Sequence, residues 1–256
     1  MWVCQDARVA SSGIGGVPGE RGPTRERESP GEHGRRESPW TAGVLRGLIV
    51  DWGGVLTNDL SAVMDAWARD GGIDMDVYAS IMRDWLGEPY GLEAVVNPIH
   101  ALERGEMTVP DFEARLAGEL SERTGSVVPP HGLLTRMFER FEHAHDMVGL
   151  VHRAHADGIR TALLSNSWGN DYPRDGWDEM FDVVVISGEV GMRKPEARIY
   201  RHTAELLGLA LSECVFVDDL KHNIEGAVQL GMVGIKHTSY ADTAMQVDVL
   251  FGRNLA

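Results

Sequence analysis

Five short apolar runs constrain this chain more than anything else in it: Leu48-Ile49-Val50, Ile159 to Leu164, Val183 to Ile186, Cys214 to Val217 and Val233 to Ile235. Each is too short for a buried helix and, Arg160 and Thr161 aside, too uniformly apolar for a strand with one wet face, so each reads as a strand covered on both sides. Helical patterns lie before or between most of them. After Lys194, Pro195 suits the first turn of a helix, and Ile199, Thr203, Leu206 and Leu207 fall on one stripe before Gly208 stops it. Asn223 to Leu230 repeats the scheme, with Ile224, Ala227 and Val228 facing inward and Gly231 at the end. Alternation of this kind specifies an α/β fold, a doubly wound parallel sheet with helices on both faces.

Between the first run and the second, residues 61 to 146 have a helical texture and no convincing strand. Ala62 to Arg69 and Val77 to Leu86 are examples, and in Asp111 to Leu120 the residues Phe112, Leu116 and Leu120 recur at i, i+4 and i+8. The pattern predicts an all-helical cap at 61–146, inserted into a core made of 44–60 and 147–256. Upstream, residues 1–43 mix Gly, Pro and Ser with runs such as Arg25-Glu26-Arg27-Glu28. Such a segment has too little apolar surface to offset its ordering entropy, so it reads as a disordered N-terminal extension, either a misassigned translation start or a linker. Gly13 to Gly19 is superficially like a phosphate loop, but no strand precedes it and no Gly-Lys-Ser/Thr follows.

Charge and cysteine content narrow the setting. Lys and Arg total 24 against 39 Asp and Glu, a net charge of -15, which repels nucleic acid and anionic membranes. Cys4 and Cys214 are the two cysteines, with no CxxC pair to hold zinc, so a reducing, cytoplasmic setting is expected. No apolar run approaches the roughly 18 residues of a membrane span, and the first thirty residues lack the apolar stretch of a secretion signal. The sequence carries no sign of oligomeric state.

In an open parallel sheet, ligands bind beyond the carboxyl ends of the strands, where strand order reverses. The polar residues concentrate at those ends: Asp51 after the first run, Ser165-Asn166 after the second, and Asp218-Asp219 after the run through Phe216. Lys194 stands just before a helix. Singly, each has a plain explanation, since an Asp after a strand commonly caps the next turn. Together, three carboxylates converging on one cleft need a cation, and hard oxygen ligands suit magnesium.

In their order, these motifs make the chain resemble the haloacid dehalogenase superfamily of aspartate-nucleophile hydrolases over essentially all of 44–256. The residues that carry the likeness are Leu48-Ile49-Val50-Asp51-Trp52-Gly53-Gly54-Val55-Leu56-Thr57, then Leu163-Leu164-Ser165-Asn166, Lys194-Pro195, and Val215-Phe216-Val217-Asp218-Asp219 with Asn223. The insertion matches the family's C1-type cap. Gly191 to Tyr200 and Asn223 to Ala227 are similar to a branch that includes bacterial glucose-1-phosphate phosphatases, and Ser165-Asn166-Ser167-Trp168 to the phosphatase half of soluble epoxide hydrolases.

The resemblance implies a magnesium-dependent phosphatase acting on a small phosphorylated metabolite. Asp51 would attack phosphorus and form an aspartyl-phosphate. Asp51, the Gly53 carbonyl and Asp219 would hold Mg2+. Ser165, the Asn166 amide and Lys194 would bind the phosphoryl oxygens, Asp218 would hydrogen-bond metal-bound water or Lys194, and Asn223 would orient Lys194 or Asp218.

One position departs from the pattern. Most phosphatases of this superfamily carry a second Asp two residues after the nucleophile, and here Gly53 stands there, so general acid-base help of about 10²- to 10⁴-fold is at risk. Three readings are open: a substrate with a good leaving group such as a sugar 1-phosphate, a proton from a cap residue such as Asp59 or His100, or a relative that binds phosphate esters without turning them over. Carbon-halogen cleavage is a further, weaker reading, because it needs no metal. Trp52 and Trp168 flank the motif loops and suit either stacking on a substrate or packing. Trp67 and Trp85 read as cap core. The cluster His143, His145, His152 and His155, near Glu142 and Asp146, reads as a solvated helix face, and Cys214 as a small buried hydrophobe.

Overall fold

The computed structural model describes residues 44–86, 97–169 and 172–256. The extension expected at 1–43 lies outside the described residues. Strands β1 (Gly47–Val50), β2 (Arg160–Ser165), β3 (Val183–Ile186), β4 (Cys214–Asp218) and β5 (Val233–Lys236) form one sheet in the order β3-β2-β1-β4-β5. All neighbours run parallel, with Val50 in register with both Leu163 and Val217. Among the described residues the helices are α1 (Leu60–Gly71), α2 (Met75–Leu86), α3 (Pro98–Glu103), α4 (Val109–Thr124), α5 (Leu133–Phe138), α6 (His145–Ala156), α7 (Ser187–Val190), α8 (Ala197–Leu207), α9 (Lys221–Gln229) and α10 (Tyr240–Phe251).

The period of two along each strand divides the core into two faces. Leu48, Val50, Leu163, Val215 and Val217 pack with Met147, Leu150 and Val151 of α6 and with Ala244 and Val247 of α10. Ile49, Ala162, Leu164, Val185 and Phe216 pack on the other side with Ile199, Tyr200, Ala204 and Leu207 of α8 and with Ala227 of α9. A doubly wound parallel sheet is therefore what the apolar runs build.

Three details differ from the sequence reading. Leu206 and Val228 are each 50% exposed. Tyr200 and Ala204 turn the buried face of α8 away from Leu206, and the inner face of α9 is centred on a polar residue, Asn223, beside Ala227. Pro195 lies outside the helix, since α8 begins at Ala197 after Glu196. The backbone there is held in a loop, with the Lys194 N–H donating to Asn166 Oδ1 at 2.8 Å and the Glu196 N–H to the Arg193 carbonyl at 2.9 Å.

Helices α1 to α5 surround a separate cluster that includes Trp67, Ile81, Phe112, Leu116, Leu120 and Leu133. Phe112, Leu116 and Leu120 of α4 are fully buried, each worth about 2 kcal/mol by area. The Thr108 hydroxyl accepts from the Asp111 N–H at 3.3 Å to start α4, and Gly125, at φ 70°, ends it. The Trp67 indole donates to the Leu133 carbonyl at 2.9 Å, and Trp85 meets Phe112 edge-on at 5.7 Å between centroids. Glycine at position 132 cannot cap α5 with a side chain. Glu113 of α4 does so instead, accepting from the Leu134 N–H at 2.7 Å and the Gly132 N–H at 3.2 Å.

Candidate active site

In this strand order, successive strands are added in opposite directions from β1 and β4, so the cleft opens at the carboxyl ends of those two. Asp51 follows β1, Asp218 ends β4 and Asp219 comes next. One carboxylate oxygen from each of the three lies within 4.8 Å of the others. Lys194 enters from the loop before α8. Its Nζ lies 2.8 Å from Asp51 Oδ1 and 2.7 Å from Asp218 Oδ2, with only 1% of the side chain exposed.

The electrostatics follow from three acids sharing one ammonium. Burial, opposed by Lys194 and reinforced by Asp218 and Asp219, pushes the Asp51 carboxyl up to about 8. Burial and the Asp218 carboxylate push Asp219 up to about 6. Against the cost of burial, Asp218 and Asp51 hold the Lys194 ammonium above its ordinary range. The donor set fits a hard divalent cation, which would relieve the repulsion that one ammonium leaves uncompensated.

Backbone and amide groups fix this arrangement. Asp51 Oδ1 accepts from the Trp52 N–H at 2.7 Å. Asp218 accepts from the Leu220 N–H at 2.8 Å and from Asn223 Nδ2 at 3.0 and 3.1 Å, while the buried Asn223 Oδ1 has no hydrogen-bond partner among the described residues. Asn166 grips the Lys194 backbone at both ends of its amide, accepting from N–H at 2.8 Å and donating to the carbonyl at 3.1 Å. Its side chain is thus committed to holding Lys194. Gly54 has φ +73°, and a Cβ there would stand 2.7 Å from Asp219 Oδ2, whereas a Cβ on Gly53 would meet nothing within 4 Å among the described residues. The loop backbone runs against Asp219, and there is open space where the usual second Asp would stand.

Ser165 ends β2, next to β1, and its Oγ lies 2.9 Å from the Tyr172 hydroxyl. The two motif tryptophans face protein. Trp52 is buried and packs on Phe141 and Tyr172 at 5.0 and 5.1 Å between centroids. Trp168 leans into the insertion, 5.8 Å from Phe112. Asp59 caps α1, and the Ser61 hydroxyl bonded to it helps to hold its carboxyl below the usual range. Burial, with Arg193 and Arg104 nearby, pushes His100 down to about 4. Near neutral pH, then, Asp59 is ionised and His100 uncharged, so neither carries a proton ready to give.

Elsewhere, Cys214 is fully buried, and burial pushes its thiol up to about 11. His145 and His152 lie exposed on α6, His143 is exposed before it, and His155 Nδ1 lies 3.0 Å from Thr161 Oγ1. Among the described residues, the three aspartates form the cluster able to hold a metal.

Sequence reasoning missed Tyr172 and the pair Glu103 and Arg193. Tyr172 reaches the site from the loop after β2, where periodicity carries no signal. Glu103 ends α3 in the insertion, and Arg193 stands beside Lys194; their side chains form a buried ion pair.

Comparison with known proteins agrees with this architecture. The chain belongs to the haloacid dehalogenase-like hydrolases, whose family profile matches residues 45–231. Mouse bifunctional epoxide hydrolase 2 is 26% identical over 223 residues, covering 81% of this chain and 39% of that protein. The sesquiterpene phosphatase astK of Aspergillus oryzae is 30% identical over 111 residues, 41% of this chain and 56% of that one. The chain spans less than two thirds of the length of the curated relatives it matches first. A HAD family enzyme of Bacteroides thetaiotaomicron, solved in complex with magnesium and inorganic phosphate, has a TM-score of 0.53 at 20% identity over 76% of this chain and 94% of that one. At that identity the likeness shows the shared fold.

Proposed function

We propose that this hydrolase is a magnesium-dependent phosphatase of the cytoplasm that acts on a small phosphorylated metabolite through an aspartyl-phosphate on Asp51. The observation that carries the reading is the buried Lys194 ammonium bridging Asp51 and Asp218, with Asp219 completing a cation-ready cluster at the switch point of the sheet. The sesquiterpene phosphatase among its relatives and the magnesium and phosphate complex of a structural neighbour support it. A carbon-halogen substrate would leave the cation cluster without a purpose.

Asp51, the Gly53 carbonyl and Asp219 would hold Mg2+. When bound, the cation neutralises charge and acts as a Lewis acid toward a phosphoryl oxygen. The Trp52 N–H and Lys194 orient the Asp51 carboxylate, and an Asp51 oxygen attacks phosphorus as the ester P–O bond breaks. Lys194 and the Ser165 hydroxyl stabilise charge on the phosphoryl oxygens. Water then attacks phosphorus as the bond from the Asp51 oxygen to phosphorus breaks, its protons leaving with inorganic phosphate and the Asp51 carboxylate being regenerated, while the departing ester oxygen takes its proton from solvent. Asp218 and Asn223 keep Lys194 in place, and Asn166 holds its backbone. Since Gly53 offers no proton, the substrates served best are those whose leaving oxygen needs little protonation, with a sugar 1-phosphate as the preferred class.

Gly53 also favours a second reading, a relative that binds phosphate esters without cleaving them. One experiment separates the two. Wild type and Asp51→Asn are incubated with p-nitrophenyl phosphate and with a sugar 1-phosphate, with and without magnesium. Magnesium-dependent phosphate release that falls by about 10⁴-fold or more in the variant supports the enzyme. Absence of release from any of a broad panel of phosphorylated metabolites supports the binder.

A further inference from the structure

Glu103 stands at the end of α3, in the insertion, yet what it touches belongs to the sheet domain. Its carboxylate pairs with Arg193 Nε, and the two side chains are 9% and 12% exposed. Trp168, two residues beyond Asn166, faces the same carboxylate. The Glu103 carbonyl accepts from the Ser187 hydroxyl at 2.5 Å, and that hydroxyl in turn accepts from the Ser167 N–H at 2.7 Å. Next to it, Arg104 Nη1 lies 2.7 Å from Glu196 Oε1. Gly105, at φ +70°, passes so close to the Gly188 carbonyl that a Cβ would stand 2.6 Å from it. The end of α3 and the two residues after it therefore reach both segments that bring polar groups to the cleft: 165–168, with Ser165 and Asn166, through Trp168 and through Ser187, and 193–196, with Lys194, through Arg193 and Glu196.

We propose that Glu103 is a positioning residue of the active site, holding Arg193 and Trp168 so that Lys194 and Ser165 stand in register for the phosphoryl group while α3 is docked. The inference rests on the phosphatase reading. Its physical basis is that a buried ion pair stripped of one partner leaves an uncompensated charge. Without Glu103, Arg193 is driven toward water or toward the neighbouring carboxylates, and Lys194 is displaced with it. A displacement of about 1 Å at a group that orients charge is enough to lower turnover by about 10- to 100-fold.

The test uses the full chain carrying Glu103→Gln, with p-nitrophenyl phosphate turnover in magnesium and inhibition by inorganic phosphate as readouts. The expected result, well below the unfolding temperature, is a kcat lower by about 10- to 100-fold and weaker phosphate inhibition, with Glu103→Asp recovering part of both. A merely structural role lowers the melting temperature and leaves kcat and phosphate inhibition unchanged, and that outcome overturns the proposal. Should Glu103→Gln fail to fold, Arg193→Lys retains the charge and loses the planar fork, so unchanged kcat and inhibition in that variant overturn it equally. If the wild type shows no turnover, the phosphatase reading fails by itself, and phosphate binding by calorimetry takes over as the readout. Equal phosphate affinity in wild type and variant, or none in either, then overturns the role of Glu103.

Discussion

The crown of the sheet and the helical insertion are both closely packed, but they bury opposite things. At the crown, Asp51, Ser165, Lys194, Asp218 and Asn223 are all 7% exposed or less, and most of their polar atoms are matched to one another. Among its described residues the insertion buries an apolar cluster and two carboxylates, Glu103 and Glu113. Glu113 turns inward and caps α5 of the same body. Glu103 turns outward to Arg193 beside the site. The contrast teaches that a buried acid in an apolar body is assigned a role by where its partner lies: a helix end in the same cluster makes it part of folding, a catalytic loop makes it part of the site.

The largest effect that could break the contrast comes from Lys194→Met. Losing the ammonium leaves Asp51 and Asp218 without their counter-charge, so denaturant unfolding should show a loss of about 3 to 5 kcal/mol and phosphate release should fall to background. Full stability in this variant would mean that the crown does not depend on matched charge.

Leu116→Ala strikes the other region. A fully buried leucine removed from the insertion cluster should lower stability by about 2 to 4 kcal/mol. The thermal shift caused by magnesium should persist, because the carboxylate cluster is built without Leu116. Loss of that shift would show that the two regions respond as one.

Acidity offers a finer test. Burial holds the Asp51 and Asp219 carboxyls above the ordinary 3.8, pushing them up to about 8 and about 6. Groups raised in this way favour the folded state fully below about pH 4, and that contribution disappears as pH rises through about 6 and then about 8. Melting in chelator should therefore weaken over this window. Magnesium, which requires ionised carboxylates, should add stability that grows with pH, reaching about 2 to 3 kcal/mol at saturating cation. A gap between the two melting curves that stays constant from about pH 5 to 8 would count against the cluster as the cation site.

The smallest expected effect is that of Tyr172→Phe, which keeps the ring contact with Trp52 and removes only the hydroxyl beside Ser165. Turnover should fall about threefold to tenfold with little change in melting temperature. No change would confine Tyr172 to packing.

What could be read beforehand followed from local chemistry. Strands covered on both sides appear as unbroken apolar runs, and the acids at their ends mark the cleft, so Asp51, Asp218, Asp219, Ser165 and Lys194 stand out in the chain itself. Leu206 and Val228 were misplaced because spacing counts apolar residues alone, while Tyr200 and Asn223 share the inner faces of α8 and α9. The grip of Asn166 on Lys194 and of Glu103 on Arg193 is set by tertiary contact between distant segments, which periodicity does not encode. Tyr172 sits in a loop, where a tyrosine has many possible partners.

The crowding between Gly54 and Asp219 has an evolutionary consequence. A side chain at position 54 would be doubly penalised, by its own backbone angle and by collision with an acid contributed from the far end of the chain. A change at position 54 therefore has to be matched at 219, whereas a side chain at the adjoining position 53 would meet nothing among the described residues and could carry a proton donor without rebuilding the loop.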